Sequence, residues 1–446
     1  MLDRSSTLLT LLTGILLCFS CTTPRSVARK MEKEVRHSPV FSRAFTGFTL
    51  MDPETGKILA DVNGDHLFTP ASTTKILTLY TCLKMLGDSV PALQIQRRTI
   101  DETTQQYALL LRGSGDPTFL SPFFQYWQGA YQTLKNRPEA LQLLAREPAP
   151  ERFGPGWAWD DYPYGYQAER STFPIYGGVV RYVPTTDFQY EIQPPVFREH
   201  FMQVFQKGGF ADHIVRSEFE NEWRIPGLNA PKEEKWLPFT APDRAALLAD
   251  TLGKAVNTYT PYPYELIPNE WQTLYSTPLD TVLRRMMYQS DNFIAEQMLL
   301  LCAGEKFGLL QQDTLINWML DSVLTDLPQR PHWVEGSGLS RYNLISPQDL
   351  STLLLRLWRE QPHERLLSLF PKGGVDGTLA DWYAGKDGKP YVFAKSGSMS
   401  GVTCLSGYVR TRQGKFLIFT FMTNHFTGSS RAWKEEISCL LSVIGY

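Results

Sequence analysis

The stretch Ser72-Thr73-Thr74-Lys75 puts a hydroxyl and an amine three residues apart at the start of a predicted helix, so both side chains share one face. At that spacing a neutral amine can take the serine proton and leave an activated nucleophile. Alone, the pattern reads more simply as a helix-capping serine followed by a solvated lysine, and a chain of this length carries about one such match by chance. Two more short patterns follow downstream. Ser290-Asp291-Asn292 lies in a break between two predicted helices, where all three residue types also serve as caps. Lys395-Ser396-Gly397-Ser398 lies at the end of a predicted strand, where a tight turn is the simpler alternative. Each has an ordinary structural reading, but the three in this order point to one nucleophilic site built from distant stretches.

Other chemistries leave no such trace. His363-Glu364 would open a zinc-binding helix, but Leu367 stands where the second histidine belongs. Gly113-Ser114-Gly115 starts like a dinucleotide loop but ends on Thr118, and Gly56-Lys57 is followed by Ile58 where a phosphate loop needs Ser or Thr. No G-x-S-x-G elbow occurs. The 446 residues, 43% hydrophobic and 20% charged, have globular composition, which excludes disorder, collagen and coiled coil. A net charge of −2 gives no basic excess, so nucleic acid is not an expected partner. Cys82, Cys302, Cys404 and Cys439 form no C-x-x-C and sit among apolar neighbours, so buried free thiols are expected and neither a metal nor an organic cofactor is implied.

At roughly 150 residues per domain, the length suggests about three structural units. Residues 1–20 run into an apolar segment over 8–19, too short to span a bilayer, and read as an export signal. Plain secretion or an ordinary apolar first helix are the alternatives. Residues 27–36 read as a charged helix, 44–51 and 57–62 as a hairpin, and Ile76, Leu79, Leu83 and Leu86 keep helical spacing up to Gly87. Helices are expected again over 278–288 and 293–302, strands over 391–395, 402–410 and 415–423, and a last amphipathic helix over 431–444. Strands at both ends of the chain with helices between them suggest one sheet built from the two termini. Residues 91–267 differ in texture, being rich in Pro and aromatics, and read as a passenger inserted into the first unit. Its cluster Trp157, Trp159, Tyr162, Tyr164 and Tyr166 is expected to be core rather than a stacking platform for sugar.

The three motifs resemble those of the penicillin-binding proteins and serine β-lactamases. The long spacer between the first two resembles the D-alanyl-D-alanine carboxypeptidase and endopeptidase family of the penicillin-binding-protein-4 type (peptidase family S13). Further segments are similar to that family, among them Gly113-Ser114-Gly115-Asp116-Pro117-Thr118, Trp157-Ala158-Trp159-Asp160-Asp161, Gly336-Ser337-Gly338-Leu339-Ser340-Arg341 and Gly374-Val375-Asp376-Gly377-Thr378-Leu379. Ser396 stands where Thr is common, and Glu335 where Asp is usual; both keep the functional group. Leu17-Cys18-Phe19-Ser20-Cys21 likewise resembles the lipobox of bacterial lipoproteins, with Cys18 where Leu is usual, and implies acylation of Cys21 and a periplasmic, membrane-anchored protein.

The resemblance implies an α+β fold: a three-layer α/β/α penicillin-recognising domain over 25–90 and 268–446, its antiparallel sheet flanked by helices, with a β-rich insert over 91–267. It implies acyl transfer on peptidoglycan stem peptides ending in D-Ala-D-Ala, with β-lactams as covalent inhibitors. Ser72 would be the nucleophile and Lys75 its base, its pKa lowered by burial and by the nearby cation Lys395. Ser290 would sit between the two lysines and relay a proton, and Asn292 would hold either the Lys75 amine or a substrate carbonyl. Lys395 and Ser396, with Gly397 and Ser398 on the same strand, would engage the substrate, with backbone N–H groups of Ser72 and Ser398 facing the oxyanion. Asp161 either meets the amino group of the stem's third residue or satisfies backbone donors in its own turn. Gly336 to Ser340 reads as a turn lining the site, where Ser337 could touch substrate. A serine β-lactamase and a catalytically silent cell-wall binding protein are the competing functions; turnover of penicillin would favour the first and failure to react with it the second.

Overall fold

A computed structural model describes residues 24–445 except 146–148, 186–188, 206–212, 228, 241–243 and 262–269. The expected export segment and Cys21 lie outside the described residues. The two ends of the chain build one antiparallel sheet in the order Val392–Met399, Val402–Arg410, Phe416–Asn424, Phe45–Met51, Ile58–Val62. Period-two alternation in Phe416–Asn424 divides its side chains between two cores. Ile418 and Met422 pack with the helices Lys75–Met85, Asn292–Phe307 and Pro347–Glu360. Leu417, Phe419 and Phe421 pack with the helices Pro24–His37 and Arg431–Gly445. A sheet covered on both faces needs apolar residues at successive positions, and this strand supplies them. Three layers result.

The helix Lys75–Met85 is buried from Lys75 through Cys82, so it runs through the core rather than along its edge. Between the sheet and the helix Pro347–Glu360, a hydroxyl chain satisfies its own polar groups. Thr49 and Ser351 lie 2.6 Å apart, Ser351 and Thr420 3.0 Å, and Thr420 and Ser406 2.7 Å.

The insert has two parts. A five-stranded sheet in the order Val256–Tyr259, Ala140–Leu144, Gln106–Gly113, Ser89–Asp101, Gln272–Pro278 shares a core with the helices Gly129–Asn136 and Arg244–Leu252. Beyond it stand two three-stranded sheets around Trp223 and Tyr182. Gln272–Pro278 pairs antiparallel with Ser89–Asp101, so a segment beyond residue 267 completes this sheet. Long-range pairing of this kind leaves no local signal.

Two expectations change. Cys82, Cys302 and Cys404 are buried, but Cys439 is exposed, because its helix turns Ile437, Leu440 and Leu441 inward instead. Of the aromatic cluster, Trp159, Tyr164 and Tyr166 are exposed, since 157–167 is a run of short turns on the surface of the insert.

Arg216 is wholly buried in the smaller part of the insert and is ion-paired with Glu169, which also takes two hydrogen bonds from Arg152, each 3.0 Å, and one from Thr240 at 2.9 Å. Removing one partner of a buried pair leaves an uncompensated charge and costs about 3–5 kcal/mol. Glu169→Ala is therefore expected to lower the urea midpoint of unfolding markedly, and an unchanged midpoint would contradict this account of the pair.

Candidate active site

Ser72 lies in a 3-10 turn, Ala71–Thr74, that leads directly into the helix Lys75–Met85. Two hydroxyls hold the turn: Thr73 donates to the Pro70 carbonyl at 2.7 Å and Thr74 to the Ala71 carbonyl at 2.9 Å. Ala71 adopts a left-handed φ of 47°, an unfavourable conformation for alanine that the surrounding contacts must hold. The outcome is a Lys75 amine 3.1 Å from the Ser72 hydroxyl.

Asp291 caps the next helix, accepting from the Ile294 N–H at 3.1 Å while Arg285 donates to its other oxygen at 3.1 Å. The capping reading of the second motif thus holds for its middle residue, which leaves Ser290 and Asn292 facing the cleft. Asn292 Oδ1 accepts from Lys75 Nζ at 2.7 Å, and the Ser337 carbonyl accepts from the same nitrogen at 2.6 Å. With Ser72, these occupy the three donors of an ammonium. Ser290, expected between the two lysines, is bonded to one of them: Lys395 Nζ donates to its hydroxyl at 2.9 Å and to the Ser396 carbonyl at 2.7 Å.

The third motif sits inside a strand and not at its end: Val392–Met399 continues pairing through Ser398 opposite Thr403. Gly397 is required by close approach, since a Cβ there would stand 2.7 Å from the Pro70 oxygen and 2.9 Å from the Ser72 nitrogen. That contact lays the strand against the turn carrying Ser72. Ser396 donates to Thr378 at 2.7 Å, which ties the third motif to the 374–379 segment.

Both amines are fully buried. Burial pulls Lys75 down to about 8, opposed by the carboxylates of Glu335, Glu296 and Asp291. Lys395 is pushed well below the ordinary lysine value, first by burial and then by the charge of Lys75. The repulsion expected to act on Lys75 therefore falls on Lys395, because Lys75 has carboxylates close by to hold its proton. A hydroxyl beside an amine whose proton burial loosens has the chemistry that a nucleophile and its base require.

The remaining expectations divide. Ser337 does not face substrate; it is wholly buried and its hydroxyl donates to Glu335. Asp161 is half-buried and accepts from the Tyr166 hydroxyl at 2.6 Å, while the Tyr166 carbonyl accepts from Asn292 Nδ2 at 3.0 Å, so the insert is bonded to the second motif. Beyond Ser290 and Asn292 opens a cavity of about 430 Å³, walled from the insert by Phe123, Lys235 and Trp236. Glu296 lies four residues after Asn292, one turn along the same helix face, and that spacing was the one signal that could have drawn attention to it. Among the described residues no group of His, Cys, Asp and Glu side chains could hold a metal, and no helix is long and apolar enough to cross a membrane.

This cleft, between an antiparallel sheet and a helical layer and carrying a serine, two lysines and an S-x-N loop, defines a penicillin-recognising serine enzyme. The model of the D-Ala-D-Ala carboxypeptidase 3 (S13) family matches residues 27–189 and 269–442, and the chain belongs to that family. It is a penicillin-binding, serine-type DD-peptidase, a hydrolase of peptide bonds. It is 25% identical over 419 residues, 86% of each chain, to D-alanyl-D-alanine carboxypeptidase DacB of Haemophilus influenzae. A D-alanyl-D-alanine carboxypeptidase of Actinomadura is 24% identical, covering 88% of this chain and 80% of the relative. In fold it is similar to the crystal structure of penicillin binding protein 4 from H. influenzae, with TM-score 0.70 and 20% identity, covering 93% of this chain and 99% of that one.

Gly338 holds a φ of 81°, and a Cβ there would fall 1.8 Å from the Ala71 oxygen, against the turn that carries Ser72. Gly338→Ala is expected to lower stability and to cut covalent penicillin labelling by about tenfold or more, since small displacements of reacting groups are costly. Gly308→Ala is the control. Its φ of 73° is also strained, but nothing lies within 4 Å, so it should lose stability only. Equal labelling loss in both variants would contradict the packing argument.

Proposed function

We propose that the cleft removes D-alanine from peptidoglycan stem peptides through an acyl-enzyme on Ser72. The observation that carries this reading is the fully buried Lys75 amine, 3.1 Å from the Ser72 hydroxyl and lowered to about 8. Lys75 takes the hydroxyl proton as Ser72 Oγ attacks the carbonyl of the penultimate D-alanine. The tetrahedral oxyanion is received by the backbone N–H groups of Ser72 and Ser398, each donor contributing on the order of 3 kcal/mol. As the intermediate collapses, the C–N bond breaks, and the proton that Lys75 took passes through the Ser290 hydroxyl to the departing amine, leaving Lys75 neutral. Water then attacks the ester as Lys75 takes its proton, and Lys75 returns that proton to Ser72 Oγ as the C–O bond breaks.

Lys395 and Ser396 bind the terminal carboxylate, one by charge and one by hydrogen bond. Burial and Lys75 disfavour the charged form of Lys395 in the empty cleft, and an arriving carboxylate restores it. Gly397 lets this strand lie against Ser72, where an extended peptide can add to its edge. For Asn292, the bond to Lys75 favours holding the amine over holding a substrate carbonyl. Asp161, kept in place by the Tyr166 hydroxyl, faces the amino group of the stem's third residue. A β-lactam acylates Ser72 by the same attack; a β-lactam complex of the H. influenzae relative, with TM-score 0.65 and 18% identity, supports this reading. The catalytic domain spans the two ends of the chain, with the insert as a second unit.

Export precedes these steps. The segment ahead of Cys21 is removed and Cys21 is acylated, tethering the enzyme on the periplasmic side. Cys21→Ala is expected to move the protein from the membrane fraction to the soluble fraction, and unchanged fractionation would refute the anchor.

Ser72→Ala is expected to lose D-alanine release from a pentapeptide and covalent labelling by fluorescent penicillin by about a thousandfold or more. Normal release by that variant would remove Ser72 as the nucleophile. Because only the neutral amine accepts a proton, the acylation rate of the wild-type enzyme should rise with pH and reach half its plateau near the Lys75 value of about 8. A rate independent of pH across that range would exclude Lys75 as the base.

A further inference from the structure

Two carboxylic side chains that no step above uses lie beneath Lys75, and both are wholly buried. Glu296 comes from the helix Asn292–Phe307 and Glu335 from the turn ahead of Gly336. Their carboxylates converge on one backbone N–H, that of Ser337. The Ser337 N–H donates to both, at 2.7 Å to Glu296 and 3.3 Å to Glu335, and the carbonyl of Ser337 accepts from Lys75 at 2.6 Å. The two acids are thus joined to the amine through one residue.

We propose that Glu296 and Glu335 share one proton and act as a single positioning pair that orients Lys75 and sets its charge. The proposal rests on Lys75 serving as the base for Ser72. Two carboxylates that accept from the same N–H and are shut away from water disfavour each other's charge, so one of them tends to keep a proton. The donors around them decide which one keeps the proton. Glu335 accepts from the Gly338 N–H at 2.7 Å, from Trp157 at 3.3 Å, and from the Ser337 hydroxyl and Asn343, which suits an anion. Glu296 has the Ser337 N–H, Gln312 at 2.8 Å and Arg170 only at 3.7 Å. Burial first and Glu335 second push it above the usual carboxylate range, and with fewer donors than Glu335 it is the partner that keeps the proton.

The charged groups acting on Lys75 are Glu335, Glu296 and Asp291, while the repulsion between the two lysines falls on Lys395. With one proton shared, the pair presents a single negative charge to the amine. That charge offsets part of the burial and keeps the Lys75 proton exchangeable near the working pH. Neither acid reaches the Ser72 hydroxyl, so both act through Lys75.

The pH dependence of wild-type acylation by fluorescent penicillin is compared with that of E296Q and of the E296Q/E335Q double variant. Glutamine at 296 is neutral and donates to Glu335 as the protonated acid does, so E296Q is expected to keep the acid limb where the wild type has it. The double variant removes the negative charge, destabilises the ammonium form of Lys75 and should move the acid limb to lower pH by about one unit. A shift as large in E296Q as in the double variant, or none in the double variant, overturns the proposal. Should the double variant not fold, the infrared difference spectrum of wild type minus E296Q at neutral pH still decides. The carbonyl stretch of a protonated carboxyl must appear in it, and its absence overturns the pair. Failure of the wild-type protein to label would sink the acyl-enzyme reading instead, while the infrared band would still report on the pair.

Discussion

An amine with no contact to water is the constraint around which this cleft is organised. Transferring an ammonium out of water costs several kcal/mol even after relaxation, so it needs acceptors on all its protons and opposite charge close by. Lys75 obtains its acceptors from three parts of the chain: Ser72 on its own turn, Asn292 from a second helix, and the Ser337 carbonyl from a loop. Removing any one would leave a buried donor unmade, which is why the helices Lys75–Met85 and Asn292–Phe307 and the 336–338 turn must meet here. Two glycines permit the contact. Gly397 lets the third strand reach the Ser72 turn, and Gly338 lets the loop reach Ala71.

The insert is part of this arrangement and not a passenger. Its Tyr166 carbonyl takes the one Asn292 donor bond directed away from Lys75. Its Trp157 donates to Glu335, and its Gly115 and Ser171 carbonyls accept from Gln297 at 2.9 and 2.8 Å on the same helix as Asn292. Each such bond contributes only about 1 kcal/mol net, but leaving the buried partner unsatisfied costs more. The insert and the catalytic helices therefore constrain one another, and the cavity beside Ser290 is walled by both.

Electrostatically, the two lysines are not equivalent. Lys75 is lowered by burial and supported by carboxylates, whereas burial and the neighbouring cation both act against the charge of Lys395. One amine is thereby suited to exchanging a proton and the other to receiving an anionic ligand. The same residue type performs two tasks because of its surroundings.

What could be read from the sequence was local. The three motifs, the terminal strands and the helix starts depend on residues a few positions apart, where side-chain direction follows backbone periodicity. Ser72, Lys75, Ser290, Asn292 and Lys395 stand out in this way, and the fold brings them together in one cleft. Tertiary structure alone decided the rest: the pairing of Gln272–Pro278 with Ser89–Asp101, the exposure of Trp159 and Cys439, the Ser396–Thr378 bond, and the convergence of Glu296 and Glu335 on the Ser337 N–H. In each of these the partner or the covering surface comes from a remote part of the chain, and the charge state of a buried group depends on how far water is excluded from it. No spacing along the chain encodes either quantity; only the packed fold does.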